Sequence, residues 1–459
     1  MPASRFAPEF LTPSQLDTIR KRIVSDAQAG RDDEAWSGLQ SLLPASRRQE
    51  FVAAGVAHIV GSGHFSIERA LQALEEVYSA HPHSESVLGP LGQALDEARD
   101  IDDLNSPAPD SPLFENVVNA LSKLSERERG TDKEIDLLLG LRTAARMMAR
   151  QHDELAEKSA RRLVELQPKD GSHHYCLGLF LKTRGGFRDG MLANQAAITR
   201  HGAGKLFANP PEAYQWNLGI CATGAGQGAI ALEVWRQLGQ KVEMGRFGLP
   251  DGGYPDCKVK LAQRPLAERS ADSDDPGLEE TIWIERLSAC HGIIRSVLYN
   301  DLGVDYGDVV LFDGAPITYH TYGEKKVPVF PHLATLQRRH YQMFNFAGTQ
   351  QTARQLHDIE MEGDVVIYSH SENFISLCAA CWQDPDLDHD DHRSVDKHVV
   401  TGRIAAPSDL APDELLRQLD AVLAAQEPCR IYVPGLCEAA GFPERAAVER
   451  RRFEMITRS

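Results

Sequence analysis

Two small residues, Ala144 and Gly178, stand 34 residues apart, and the residues around them recur with the same spacing. A period of this length constrains a fold more than any single motif. A unit too short to bury its own apolar face must stack on a copy of itself. With Ala144 and Gly178 each taken as the eighth residue of a unit, Ala156 and Gly190 fall at position twenty, and Leu163 and Ala197 at position twenty-seven. Pro168 falls at position thirty-two, where it ends the second helix of the first unit. Small residues at positions eight and twenty let paired helices approach, whereas bulky ones would hold them apart. A third unit aligns on Leu218-Gly219, with Ala231 and Trp235 at positions twenty and twenty-four. Its offset of 41 residues requires an insertion, for which Ala208-Asn209-Pro210-Pro211 is the natural place.

These residues, over about 137–239, resemble the tetratricopeptide-repeat family. The resemblance implies an array of helix–turn–helix units with a concave surface that binds a peptide or another protein. Gly140 and His174 depart from the family by replacing the usual aromatic at position four, and Gly202 replaces the proline of the second unit. A weaker unit spans 51–84, with Ala70, Leu74, Val77 and Pro82 in register and His58 where a small residue is expected. One subclass of the family grips a carboxylate with Asn and Lys on its first helices. Asn217 occupies one matching position and is the candidate partner-binding residue, although an isolated Asn more commonly serves a local hydrogen bond.

Helical patterning extends toward the N-terminus. Thr12-Pro13-Ser14-Gln15 reads as a capped helix start, and further helices are expected at about 34–44, 47–60 and 66–80. The domains read as a helical region over 1–130, tetratricopeptide-like repeats over 131–244, and a different domain over 245–459. The change comes at Gly248-Leu-Pro-Asp-Gly-Gly-Tyr-Pro, which is rich in turn formers. Beyond it, Val259 and Leu261 alternate with Lys258 and Lys260, predicting a strand with one wet face. Residues 281–287, 327–330, 364–368, 398–404 and 430–433 read as further strands. Asp308–Phe312, Asp313-Gly314 and Ala315–His320 read as a tight hairpin, because Asp-Gly supplies positive φ. Helices are expected at about 352–361, 412–426 and 443–456. The fold class is therefore α+β and multidomain, with an all-α array followed by an α+β domain whose sheet is mostly antiparallel.

Charge and composition narrow the function. Lys plus Arg number 49 against 66 Asp plus Glu, a formal charge of −17, which disfavours nucleic acid and anionic lipid as general partners. The start, Met1-Pro-Ala-Ser-Arg-Phe, lacks a secretory apolar run, and no stretch reaches the roughly 20 apolar residues of a membrane span. Eight cysteines in 459 residues are too sparse for a disulfide scaffold, so a cytoplasmic, reducing location is expected. The Ala/Arg-rich composition suggests a bacterial source.

Four groups of residues could carry chemistry. Cys378-Ala-Ala-Cys381, followed by His389 and His392, offers thiolate and imidazole ligands for tetrahedral zinc. The spacing between the pairs is shorter than in familiar zinc modules, and the segment also reads as apolar packing beside an acidic loop. Cys290-His291 are neighbours whose side chains point to opposite faces of an extended chain, which favours turn and core roles over a nucleophilic dyad. His370 and Glu372 follow a strand, and their alternation places both on one face. Arg338-Arg339-His340-Tyr341 is a short basic run read as solvated surface. Phosphate-loop, dinucleotide, metalloprotease and nucleophile-elbow motifs are absent. The leading expectation is an interaction or regulatory protein whose repeats bind a protein or peptide. The alternative is an enzyme, metal-dependent if zinc binds, with its active site in 245–459.

Overall fold

The computed structural model describes residues 10–99, 110–200, 212–352, 355–356, 359–378, 380, 394–425 and 429–457. The chain forms two compact units, Met1–Pro250 with Leu266–Pro276, and Asp251–Pro265 with Gly277–Ser459.

The first unit opens with α1 (Pro13–Gln28), α2 (Asp32–Gln40) and α3 (Leu43–Ser46). The start of α1 is capped reciprocally, Gln15 N donating to Thr12 Oγ1 and Thr12 N to Gln15 Oε1. Helices then follow in antiparallel pairs: α4 (Glu50–Val60) with α5 (Ile67–Ala80), and α6 (Glu85–Ala94) with α7 (Pro112–Arg127). The pairs α8 (Glu134–Met147) with α9 (Asp153–Leu166), α10 (Gly171–Thr183) with α11 (Phe187–Arg200), and α12 (Glu212–Gly224) with α13 (Gly228–Gln237) complete the array.

The small residues of the repeat do the work expected of them. A Cβ on Gly178 would lie 2.4 Å from Asn194 Nδ2, and one on Gly219 would lie 2.6 Å from Trp235 Cζ2, so helix pairs touch through those positions. Ala144, Ala156, Ala197 and Ala231 are fully buried. The departures at Gly140 and His174 have physical reasons, whereas Gly202 and the insertion at 208–211 lie outside the described residues. A Cβ on Gly140 would meet Gly89 O at 2.5 Å, so α6 and α8 cross backbone to backbone where an aromatic would separate them. His174 Nε2 donates to Pro168 O at 3.0 Å and ties the start of α10 to the preceding turn. In the pair α4–α5, Ala70, Leu74 and Val77 are buried, whereas His58 is an exposed position at the lining of an open cavity and not a packed helix contact.

A short ladder of β1 (Glu243–Met244) and β2 (Pro250–Asp251) follows α13. The second unit then builds a sheet from β3 (Cys257–Ala262), β4 (Glu279–Arg286), β5 (His291–Ile294), β6 (Val309–Phe312), β7 (Thr318–Tyr322) and β8 (Lys325–Gln337), in the order β3-β4-β5-β6-β8-β7. The sheet closes because β3 also pairs with β8, in parallel. Counting β6 and β7 as one bent strand, five strands meander up and down. An odd meander brings its first and last strands round in the same direction, so the closure is parallel. Val259, Leu261, Ile284, Val310, Phe312 and Phe330 fill the interior.

Two sequence expectations fail here. Asp313-Gly314 does not reverse the chain: β6 and β7 run in the same direction along β8, and between them Asp313 N donates to Pro331 O and Ile317 N to Val329 O. The segment is a bulge, and the reversal comes later, at Gly323 with φ 60°. Nor is the expected wet face of β3 wet throughout: Lys260 is partly exposed and paired with Glu279, but Lys258 is enclosed. Lys258 is 7% exposed, with its ammonium bonded to His320 Nδ1 at 3.1 Å and to Tyr322 Oη and seated over the Trp283 ring.

The remaining sheet is antiparallel, in the order β10-β11-β9-β12, from β9 (Gln342–Gln350), β10 (Val366–Cys378), β11 (Ser394–Ala406) and β12 (Arg430–Tyr432). Helices α14 (Pro412–Ala424), α15 (Pro434–Ala439) and α16 (Pro443–Thr457) accompany it. Alternation along β11 serves two layers, with Val400 packing in the cluster of Leu415 and Leu419 and Val399 with Ile456. The helix expected at 352–361 is not formed by the described residues there, which lie in bends and turns while burying Leu356 and Ile359.

Candidate protein-interaction site

The first helices of successive pairs, α6, α8, α10 and α12, carry the residues of interest. On α8, Leu137, Leu141, Ala144 and Ala145 form the buried stripe. The opposite side presents Ile135, Leu139, Arg142 and Arg146, all partly exposed. Arg142 and Arg146 are one turn apart, and neither makes a hydrogen bond or ion pair among the described residues. Desolvation, and then the nearby Arg184, lower the pKa of Arg146, while Cys176 and Asp96 act in the other direction. Asp96 follows α6 and is itself raised by burial, against backbone N–H groups and the two arginines that lower it. A partly desolvated guanidinium without a hydrogen-bonded acceptor is costly, and a ligand carboxylate would relieve that cost.

On the following first helices, the partly exposed Tyr175 of α10 and the buried Tyr214 of α12 stack with ring centroids 4.4 Å apart and planes 25° from parallel. Toward the N-terminal end of α8, a cavity of about 590 Å³ is lined by residues of α4, α6 and α8, among them Glu50, His58, Glu85, Lys133 and Asp136. Glu50 accepts from Ser86 Oγ at 2.8 Å, and such serine bonds hold its carboxyl below the usual range. Glu85 takes up Lys133 and Arg127. Asp136 has no hydrogen bond or ion pair of its side chain among the described residues. Desolvation draws His58 below its ordinary pKa, so it adds little positive charge near neutrality. A further cavity of about 700 Å³, between α7, α8 and α9, has paired charges at its rim, including Arg162 with Glu134 and Arg161 with Glu157.

The residues singled out from the sequence lie elsewhere. Asn217 is buried, and its Oδ1 accepts from the buried Lys182 Nζ at 2.9 Å. Cys378 ends β10, but its side chain and the whole of Cys381, His389 and His392 lie outside the described residues. Among the described residues, no group of three or more His, Cys, Asp or Glu could hold a metal ion. Cys290 and His291 are fully buried, and His291 Nδ1 contacts Ser288 Oγ at 2.5 Å. His370 and Glu372 lie within β10 rather than beyond a strand end, and a register shift between Ser369 and Ser371 breaks their alternation. His370 Nε2 donates to Val297 O at 2.9 Å, and Glu372 lies 3.3 Å from His398 Nε2. In the basic run, Arg339 N donates to Asp308 and Tyr341 Oη to Asp364, both at 2.6 Å.

The chain thus combines a tetratricopeptide-type helical array with a sheet-rich α+β unit. No protein-family model and no curated protein matches it. Among solved structures, one titled "Crystal structure of MamA protein" is 16% identical, with a TM-score of 0.28 over 40% of this chain and 89% of that one. Another, titled "Functional Characterization of Pseudomonas Aeruginosa pilF", is 13% identical, with a TM-score of 0.32 over 49% of this chain and 90% of that one. The repeat architecture rests on the helix pairs and small-residue contacts described above, and likenesses at these scores add nothing to it. No helix of the described residues is long and apolar enough to cross a membrane.

Proposed function

We propose that this protein is an interaction scaffold, or a regulator acting through interaction, whose helical array binds a segment of another protein along the open side of α6, α8, α10 and α12. One observation carries the reading: Arg142 and Arg146 stand partly exposed on that side without hydrogen-bonded acceptors among the described residues. On α10 the partly exposed ring of Tyr175, backed by the buried ring of Tyr214, adds flat, rigid contact area of the kind enriched at interfaces. The formal charge of −17 supports a protein partner over nucleic acid, in the cytoplasmic setting expected from the sequence.

The test is co-purification from the native host with the full-length chain and with an Arg142→Ala/Arg146→Ala/Tyr175→Ala variant. The variant is expected to keep its circular-dichroism spectrum and to lose its co-purifying protein. Undiminished capture by the folded variant would overturn the reading. Zinc binding by Cys378, Cys381, His389 and His392 is a separate proposal, supported by residue type and by the two-residue gap between the cysteines alone. Near-stoichiometric zinc that is lost on Cys378→Ser is its expected result, and metal-free protein would end it.

A further inference from the structure

The open side of α8 is electrically polarised along its length. Near its start lies the cavity of about 590 Å³, whose lining includes the carboxylates of Glu50, Glu85 and Asp136 against the single ammonium of Lys133. Lys133 is already held by Glu85, Arg127 is shared between Glu85 and Glu128, and beyond the lining Arg20, paired to Asp17, reaches His58 only electrostatically. Glu50 is hydrogen-bonded by Ser86, and Asp136 keeps its carboxylate unengaged among the described residues. The uncompensated charge of the cavity is therefore negative. Toward the other end of α8 stand Arg142 and Arg146, with Asp96 near both and Cys176 near Arg146, and neither arginine forms an ion pair among the described residues. At 1.5 Å of rise per residue, Asp136 is separated from Arg142 by about 9 Å and from Arg146 by about 15 Å along the axis.

We infer that the array selects a bipolar partner segment, one basic side chain entering the cavity at Glu50 and Asp136 while an acidic side chain three or four residues away meets Arg142 and Arg146. An extended chain advances about 3.3 Å per residue, so that spacing spans the same distance. This inference rests on the array being the interaction surface and adds the charge order of what it binds. A purely acidic segment would be repelled by the cavity, and a purely basic one by the arginines, so the arrangement discriminates by rejection as well as attraction.

The experiment uses the full-length protein and fluorescein-labelled ten-residue Ala/Ser peptides with Lys and Glu four residues apart, in both orders, read by fluorescence anisotropy at low salt. One order is expected to bind, with affinity falling as salt rises. Changing the peptide Glu to Gln or the protein Arg146 to Ala should each cost roughly tenfold. The double change should cost little more than either alone, because the two groups face each other. Asp136→Asn should couple in the same way to the peptide Lys and not to its Glu. Binding that ignores charge order, additive losses, or no binding by either order would overturn the inference. If these peptides fail while the triple variant still loses its co-purifying protein, the interaction reading stands and the charge order falls.

Discussion

The ring of His291 is fully buried at the start of β5, with Ser288 Oγ at Nδ1 and no partner at Nε2. Burial pulls its pKa down from 6.5 to about 4. Between those values the unfolded chain takes up a proton that the folded chain refuses, so stability falls as pH drops through this window. The shift corresponds to about 3 kcal/mol. Urea midpoints of the wild-type chain should therefore decline from pH 7 to pH 4 more steeply than those of His291→Gln, and equal slopes would refute the assignment. This residue shows what one-letter reading conceals. Cys290-His291 drew attention as possible chemistry, and full burial of both side chains makes the pair core. Arg142 and Arg146 drew none, because whether an arginine has an acceptor is decided by helices distant in sequence.

At the scale of elements, repeats were the most legible part of the chain. Close approach of two helices demands small side chains at set positions, and such positions can be counted. Gly178→Ala forces a methyl group against Asn194, and Gly219→Ala forces one against the Trp235 ring. Each should cost about 1–3 kcal/mol by overpacking, read as a lowered thermal midpoint, whereas Gly226→Ala should act only through its positive φ at an open turn. The pair α6–α7 lay outside the recognised repeats because the segment between its helices breaks the 34-residue period. Among strands, local reading failed where pairing overrode it. Asp313-Gly314 has the composition of a tight turn, yet β8 supplies hydrogen bonds on both sides of it and the chain continues as a bulged strand. Lys258 has the charge of a wet position, yet Trp283, His320 and Tyr322 converge on it from other strands.

In the molecule as a whole, the chain order and the compact units do not coincide. Leu266–Pro276 belongs with the helical unit although it lies between β3 and β4. Arg150 holds it there: the guanidinium donates to Leu266 O and, at 2.9 Å, to Thr183 O, and lies near Asp153 and Asp274. Desolvation, then repulsion from Arg184, draws its pKa down to about 10. Arg150→Met strands these acceptors in a buried place and should cost about 3–5 kcal/mol, with amide exchange accelerating across 266–276. A chain ending at Pro250 loses the same contacts and should melt below the helical unit of the intact protein by calorimetry. An unchanged melting point would show that the segment contributes nothing.

What the sequence determined by itself follows from short-range demands: the helical period, the small residues that permit close pairing, the cap of α1, and the passage near residue 245 from helices to strands. Each of these is written in neighbouring residues, and the repeat period that opened the reading survives with its departures at Gly140 and His174 explained. Only the tertiary structure decided that β3 closes on β8, that residues 266–276 join the array, and that two arginines and an acidic cavity face outward along one helix. Those outcomes depend on which groups find partners between distant stretches of the chain, and burial and pairing at that distance leave no local mark in the sequence.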